Sequence, residues 1–294
     1  MKKPVFQGCA TAIITPFRSD SVDFDAFRRL IDRQIESGVH ALVVCGTTGE
    51  ASTMSYVERM RTIETAVRHV NGRIPIIAGT GSNNTETAIT ISKDASRLGA
   101  DAILVVTPYY NKATQPGLVQ HYSTIADNVN IPLILYNVPA RTGISCSAET
   151  YAALSLHPNI IGVKEASGNM QLIQKTRDIC PDDFYIWSGN DDETASTMLL
   201  GGIGVISVVS NVMPREMVEL TNACLKGDFR RAGSLQIKLR KMAEVLFREV
   251  NPIPVKTALS MMGLCEEKMR LPLCEMTTDH RNELEAVLKT YGLI

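Results

Sequence analysis

The stretch Asn159-Ile-Ile-Gly-Val-Lys164-Glu-Ala-Ser-Gly168 decides the fold and the chemistry expected of this chain. Its small and β-branched apolar residues, bounded by Pro158 and Gly168, are typical of a short strand buried on both faces of a parallel sheet. Lys164 stands at the end of that strand. Partial loss of water there favours the free amine, which attacks carbonyl groups. The alternative is a lysine whose charged head reaches solvent.

Short apolar runs like this one alternate with amphipathic helical patterns along most of the chain. The predicted strands cover residues 9–14, 41–45, 74–78, 102–106, 133–136, 160–164, 184–188 and 204–208. The predicted helices between them cover residues 25–37, 57–70, 85–98, 117–128, 149–156, 170–179 and 194–200. Eight successive units favour an α/β fold of the (β/α)8 TIM barrel type, which typically takes about 250 residues.

An open doubly wound sheet uses the same alternation and is the alternative architecture. It is disfavoured because no G-x-G-x-x-G sequence opens the first helix. From about Pro214 the patterns are helical throughout, over residues 215–225, 229–249, 255–262 and 279–291. We therefore predict a barrel domain over 1–225 and a C-terminal helical domain over 226–294, with one of the late helices closing the barrel.

Composition restricts the class of partner. The 294 residues are 45% hydrophobic, and 30 basic against 31 acidic residues give a net charge of −1 without a basic block. This balance disfavours nucleic acids and anionic membranes and favours a small-molecule partner. The seven cysteines are scattered without a C-x-x-C pair, the amino terminus lacks a signal-peptide core, and no apolar run approaches the roughly 18 residues of a spanning helix. The sequence predicts a cytoplasmic protein.

Three common site chemistries are disfavoured. The five histidines lie in predicted helices and loops and form no H-E-x-x-H motif, so we predict no metal site. No G-x-S-x-G elbow suggests a serine hydrolase. No Gly-Lys-Ser/Thr follows the glycine-rich loops, which argues against a P-loop.

In a barrel the active site forms where the strands end, so the residues that follow each strand matter most. The loop Gly46-Thr-Thr-Gly-Glu50 brings backbone N–H groups and two hydroxyls together, which suits a carboxylate or a phosphate. A tight loop whose threonine caps the next helix is the alternative. Tyr136 ends the strand next to that of Lys164, where its phenol could relay protons or simply pack. Arg141 could hold a carboxylate with two N–H groups or lie solvated.

Five motifs, in their order and spacing, resemble the dihydrodipicolinate synthases, which belong with N-acetylneuraminate lyase to the pyruvate-dependent class I aldolases. The resemblance covers the whole chain, including the C-terminal helices. The motifs are Gly46-Thr-Thr-Gly-Glu50, Tyr109-Tyr110, Tyr136-Asn-Val-Pro-Ala-Arg-Thr-Gly143, Gly162-Val-Lys-Glu165 and Ser188-Gly-Asn-Asp191.

The resemblance implies that Lys164 forms a Schiff base with pyruvate, whose carboxylate rests on Thr47 and Thr48. It implies a proton relay of Tyr136, Thr47 and Tyr110, with Tyr110 reaching in from a neighbouring subunit. The expected assembly is a homotetramer, built as a dimer of dimers. No cofactor is expected, because the imine itself accepts the electrons.

The second substrate implied by the resemblance is L-aspartate 4-semialdehyde, and the pathway is lysine and diaminopimelate biosynthesis. Arg141 would bind the carboxylate of the semialdehyde. Ile206 matches a position whose backbone carbonyl faces the lysine, and Gly189 is expected at the substrate site.

Many members of this family bind L-lysine at the dimer interface. The candidate allosteric positions here are Asn83, Tyr109, Ser52 and Tyr56. Tyr56 and Arg59 stand where the family often has histidines, and Thr87 stands where it often has a glutamate. We therefore expect weak or absent inhibition by lysine.

Two other functions stay open from the sequence. A related pyruvate aldolase would act on a 2-keto-3-deoxy sugar acid or on N-acetylneuraminate, although Arg141 and the Tyr109-Tyr110 pair argue against it. A barrel that binds a keto acid without catalysis would serve as a sensor or scaffold.

Overall fold

Eight parallel strands close into a barrel in the computed structural model, which describes residues 1–294. Each strand pairs with the next along the chain, and the last pairs with the first, so no barrel edge is left open. The predicted (β/α)8 fold is confirmed. The strands are β1 Gly8–Ala12, β2 Ala41–Val44, β3 Ile76–Gly79, β4 Ala102–Val106, β5 Leu133–Asn137, β6 Ile160–Glu165, β7 Tyr185–Ser188 and β8 Gly204–Ser207.

Twelve helices surround and extend the barrel. They are α1 Phe24–Glu36, α2 Tyr56–Val70, α3 Thr85–Arg97, α4 Gln115–Asp127, α5 Pro139–Thr142, α6 Ala148–Ser155, α7 Met170–Ile179, α8 Thr194–Leu199, α9 Pro214–Leu225, α10 Phe229–Leu246, α11 Ile253–Met261 and α12 Thr278–Thr290. The sequence did not predict α5, because four residues are too short for a periodic pattern. It also missed an antiparallel ribbon of Phe17–Arg18 and Ser21–Val22, which lies outside the barrel.

Side-chain caps fix where several helices begin. Ser55 accepts a hydrogen bond from the Glu58 amide, and the Glu58 carboxylate accepts one from the Ser55 amide, which makes a capping box at the start of α2. Helix α4 begins two residues before its predicted start because Thr114 accepts from the Gly117 amide and Pro116 fits the first turn.

Side chains alternate between the inside of the barrel and the outer layer under the helices. On β5, Ile134 and Tyr136 belong to the apolar cluster inside the barrel, whereas Leu133 and Leu135 belong to the outer cluster. Strand β6 follows this pattern only because it contains a bulge, in which two residues, Ile161 and Gly162, face the single residue Ile134. Val163 then lies outside, and Lys164 pairs with inward-facing Tyr136. Lys164 therefore points into the barrel.

The helices after β8 close the barrel and extend it. Helix α9 packs against β1 and β8, and α10 packs against α9 and α8. The outer apolar cluster continues from the barrel helices into α10 and α12 through Leu239 and Leu284. The division into domains at residues 225 and 226 stays a prediction. None of the helices has the length and apolar character needed to cross a membrane.

Candidate active site

Lys164 lies in the barrel interior near the carboxyl ends of the strands. It is 5% exposed and sits between Tyr136 of β5 and Trp187 of β7 in the strand register. Its Nζ atom lies 4.2 Å from the centroid of the Tyr136 ring. The nitrogen therefore lies over the Tyr136 ring and does not extend into bulk water.

A cavity of about 260 Å³ opens above this pair. Its wall includes Thr47, which follows β2, and Tyr136 and Arg141, which lie at and just after the end of β5. Tyr109 also contributes to the wall and is 41% exposed. Lys164 is covered by Tyr136 and does not itself line the cavity.

The loop Gly46–Glu50 contributes Gly46 and Thr47 to the wall of the cavity. Thr48 is buried, and its hydroxyl oxygen accepts a hydrogen bond from Asn251 Nδ2 at 3.0 Å. The Thr15 hydroxyl donates to the Gly49 carbonyl at 2.7 Å. Neither Thr47 nor Thr48 caps α2, because Ser55 does so. The helix-capping alternative for this loop is therefore wrong.

Arg141 lies on α5, the short helix that follows β5. Its guanidinium donates to the backbone carbonyl of Asn251 at 3.3 Å and makes no ion pair with a protein carboxylate. The side chain is exposed and reaches the cavity. Its remaining N–H groups are therefore available to a ligand carboxylate, for which a guanidinium is the best-matched side chain.

Asn251 is a residue of the site that the sequence did not reveal. Its side chain contacts Thr48, and its backbone carbonyl contacts Arg141, so it joins the two groups expected to bind carboxylates. Its Oδ1 atom is buried without a partner. Asn251 follows α10 in the C-terminal layer, and no strand-end rule connects it with the barrel mouth.

Asp191 is a second residue whose role the sequence missed, although it ends one of the quoted motifs. It is fully enclosed and accepts hydrogen bonds from the Ser207 hydroxyl and from the amides of Val208 and Val209. Burial raises the pKa of Asp191, while these hydrogen bonds and the positive charge of Lys164 act in the opposite direction. A buried carboxyl group thus lies close enough to Lys164 for the two to interact electrostatically.

Tyr110 is not brought into the cavity of its own chain. It is 90% exposed and its backbone φ is +72°, a left-handed conformation that is uncommon for a bulky residue. Strained backbone conformations of this kind cluster at active sites and ligand-binding sites.

Gly189 and Ile206 lie close to the strand ends but not on the cavity wall. Ile206 is fully buried inside the barrel on β8. The Gly189 amide donates to the Glu165 carbonyl at 2.6 Å, and a Cβ atom at position 189 would come within 2.5 Å of the Ala166 side chain. Glycine is therefore required there by close packing.

A second cavity, of about 370 Å³, lies between α2 and α3. Three of the candidate allosteric positions line a cavity: Tyr56 lines the second cavity, and Ser52 and Tyr109 line the first. The Asn83 carbonyl accepts from Asn111. Arg59 reaches both cavities, and its Nε atom is buried without a partner.

Comparison with known proteins agrees with this arrangement. The family model described as the dihydrodipicolinate synthetase family matches residues 5–291. The 4-hydroxy-tetrahydrodipicolinate synthase of Thermodesulfovibrio yellowstonii is 51% identical over 290 residues, which is 99% of this chain and 100% of that protein.

Solved structures give the same result. The crystal structure of dihydrodipicolinate synthase from Aquifex aeolicus has a TM-score of 0.97 and 47% identity and covers 98% of this chain and 99% of that chain. The enzyme from Cyanidioschyzon merolae with lysine bound has a TM-score of 0.96 and 36% identity and covers 99% of this chain and 100% of that chain. On the evidence of its barrel, its buried lysine and these matches along nearly its whole length, the chain belongs to the dihydrodipicolinate synthetase family.

Proposed function

We propose that this protein condenses pyruvate with L-aspartate 4-semialdehyde to give 4-hydroxy-tetrahydrodipicolinate, in lysine and diaminopimelate biosynthesis in the cytoplasm. The observation that carries the proposal is the Lys164 amine, buried inside the barrel with its nitrogen 4.2 Å from the Tyr136 ring centroid. The wall of the cavity includes the Thr47 hydroxyl and the Arg141 guanidinium, which makes no ion pair with a protein carboxylate. This arrangement fits two carboxylate-bearing reactants.

The first step forms the imine. The Lys164 amine attacks the C2 carbonyl of pyruvate, and water leaves as the protonated imine forms. Thr47 and Thr48 hold the pyruvate carboxylate, so that the carbonyl carbon stays above the amine. Fixing the two groups in this way converts a bimolecular encounter into an intramolecular step.

The second step forms the carbon–carbon bond. Loss of a methyl proton to the phenol relay gives an enamine, whose carbon attacks the aldehyde while the aldehyde oxygen takes a proton. Arg141 holds the carboxylate of the semialdehyde during this step. The substrate's own amino group then attacks the imine carbon and displaces Lys164, which returns as the free amine. The protonated imine is the only electron acceptor that these steps need, so we propose that the reaction uses no cofactor.

We propose that the active assembly is a homotetramer made of two dimers. In each dimer, the partner subunit's Tyr110 would complete the relay with Tyr136 and Thr47. The exposure of Tyr110 and its strained backbone support this assignment. Each subunit alone would then lack one phenol of the relay.

Mixing two inactive variants tests the shared site. Tyr110→Phe and Lys164→Ala homotetramers are each expected to be nearly inactive, and subunit exchange between them should restore activity. In a mixed dimer, one site receives both a native Lys164 and the partner subunit's Tyr110. If mixing restores nothing although exchange is confirmed by native mass spectrometry, the shared relay is wrong.

Trapping with borohydride tests the function itself. Pyruvate and borohydride should add one reduced pyruvate to Lys164, as located by peptide mass spectrometry. A coupled assay with the semialdehyde should then show turnover. Turnover only with a sugar-acid aldehyde would favour the related aldolase, and binding without trapping would favour a passive keto-acid binder.

A further inference from the structure

A second buried lysine lies behind the loop that is expected to hold pyruvate. Lys256 on α11 and Glu50, the last residue of the Gly46–Glu50 loop, form an ion pair with Nζ and Oε1 2.5 Å apart. Their side chains are 0% and 1% exposed. The partners are 206 residues apart in the chain, so this contact joins the C-terminal layer directly to the barrel mouth.

The other oxygen of the Glu50 carboxylate is also held from the C-terminal layer. Glu50 Oε2 accepts a hydrogen bond from the Arg270 amide at 3.1 Å. The backbone of Glu50 is left-handed, with a φ of +52°, so the loop turns sharply at this residue. Both ends of the carboxylate are therefore fixed by residues that come after β8.

Aromatic packing encloses the pair. The ring of Phe17, from the ribbon after β1, lies 4.2 Å from Lys256 Nζ and 4.4 Å from the Arg270 guanidinium carbon, measured to the ring centroid. Burial lowers the pKa of Lys256, and the charge of Glu50 opposes this change. Removing two charges from water costs about as much as their attraction returns, so such a pair is better explained by the geometry it fixes than by stability.

The position of Glu50 determines the positions of the Thr47 and Thr48 hydroxyls. The Glu50 amide donates to the Thr47 carbonyl at 3.0 Å, which closes the turn that contains both threonines. The Glu50 carbonyl accepts from the Thr53 hydroxyl at 3.1 Å, which fixes the far side of the same residue. A shift of Glu50 would therefore move Thr47 and Thr48.

We propose that Lys256 and Glu50 are positioning residues that hold Thr47 and Thr48 in the arrangement that receives the carboxylate of pyruvate. The proposal rests on the proposed function. It adds an ion pair, anchored in the C-terminal layer by Lys256, that touches neither substrate. Disturbing these residues is expected to weaken pyruvate binding. The chemical step at Lys164 and the binding of the semialdehyde at Arg141 should remain largely unaffected.

Steady-state kinetics of Lys256→Met test this split. The variant keeps the length of the side chain and removes its charge. The KM for pyruvate should rise about tenfold, while kcat at saturating pyruvate stays within about threefold and the KM for the semialdehyde does not change. An unchanged KM for pyruvate, or equal losses in kcat/KM for both substrates, would overturn the proposal.

Two further variants separate positioning from general loss of stability. Leu284→Ala removes a buried side chain of α12 that does not contact the loop. It should lower the melting temperature without raising the KM for pyruvate. The double variant Glu50→Gln with Lys256→Met removes both charges, so it should fold even if the single variant does not, and it should keep the raised KM.

The outcome for the wild-type protein separates this proposal from the proposed function. If pyruvate and borohydride modify Lys164 in the wild type while the variants keep a normal KM for pyruvate, only the positioning role is wrong. If the wild type itself is not modified, the Schiff-base function is wrong, and the positioning role falls with it.

Discussion

The barrel mouth and the interface with the C-terminal layer each contain one buried lysine, and the two differ in whether a protein carboxylate is paired with the nitrogen. Both nitrogens lie 4.2 Å from an aromatic ring centroid, Lys164 over Tyr136 and Lys256 over Phe17. Lys256 is paired with a buried carboxylate at 2.5 Å, whereas Lys164 makes no ion pair with the protein. The Lys256 nitrogen is therefore occupied by the Glu50 carboxylate, whereas no protein carboxylate occupies the Lys164 nitrogen. Burial alone therefore does not identify a catalytic lysine.

The largest expected effect follows from removing the unpaired lysine. Lys164→Ala should lower kcat by about 10⁴-fold or more, which corresponds to roughly 5.5 kcal/mol of barrier, because no other group can form the imine. Steady-state assays and borohydride trapping would measure this loss. The melting temperature should change little, since no ion pair is broken. A variant with full activity would contradict the assignment of Lys164.

Removing the paired lysine should have the opposite profile. Lys256→Met leaves Glu50 buried without its cation, and breaking such a pair costs about 3–5 kcal/mol of unfolding free energy. Urea denaturation followed by circular dichroism would measure the change. The double variant with Glu50→Gln should recover much of the loss. If Lys164→Ala proves to be the more destabilising of the two single variants, the distinction between the lysines is wrong.

His121 extends the comparison to a buried base without a charged partner. Its Nε2 atom is buried and unpartnered, Thr85 contacts its Nδ1 atom, and burial lowers the pKa of His121 to about 4. The unfolded chain, with a pKa near 6.5, binds a proton that the folded state does not. Stability should therefore fall as the pH drops from 6.5 to 4, by about 3 kcal/mol from this residue, and level off below that range.

Denaturation curves at several pH values would measure this slope. The glutamine in His121→Gln does not titrate. The difference in slope between wild type and variant therefore separates the contribution of His121 from that of the carboxylates that titrate in the same range. Equal slopes for the two proteins would contradict the prediction.

The smallest expected effect concerns L-lysine. Arg59 places a cation between the two cavities without a carboxylate partner, and burial lowers the pKa of Arg59. A fixed cation there disfavours the ammonium of an incoming lysine. We expect about 1 mM L-lysine to change the rate by less than twofold. Strong inhibition below that concentration in an initial-rate assay would refute this expectation.

The sequence predicted the elements whose signals are local. The eight apolar runs, the helices between them and the polar residues after each strand could be read directly, and together they brought Thr47, Tyr136 and Lys164 to one end of the barrel. The resemblance added the roles of these residues. Helix starts differed from prediction by one or two residues because caps such as Thr114 act through single hydrogen bonds.

The contacts that could not be predicted join distant parts of the chain. Asn251 contacts Thr48 from 203 residues away, and Lys256 contacts Glu50 from 206 residues away. No periodicity or motif spacing encodes such pairs, because they depend on how the C-terminal layer docks onto the barrel. Lys256 by itself looks like an ordinary helix lysine, and only its complete burial reveals its role.

The bulge in β6 determines the direction of the Lys164 side chain through the number of residues on each strand. From Ile160 to Lys164 the chain takes four steps, while the neighbouring strand takes three from Leu133 to Tyr136. Four regular steps would return the lysine to the side of Ile160, among the helices. In most barrel strands, deletion of one residue would turn every later side chain to the opposite face. Deletion of one residue between Ile160 and Lys164 would instead remove the bulge and leave the amine facing the barrel interior.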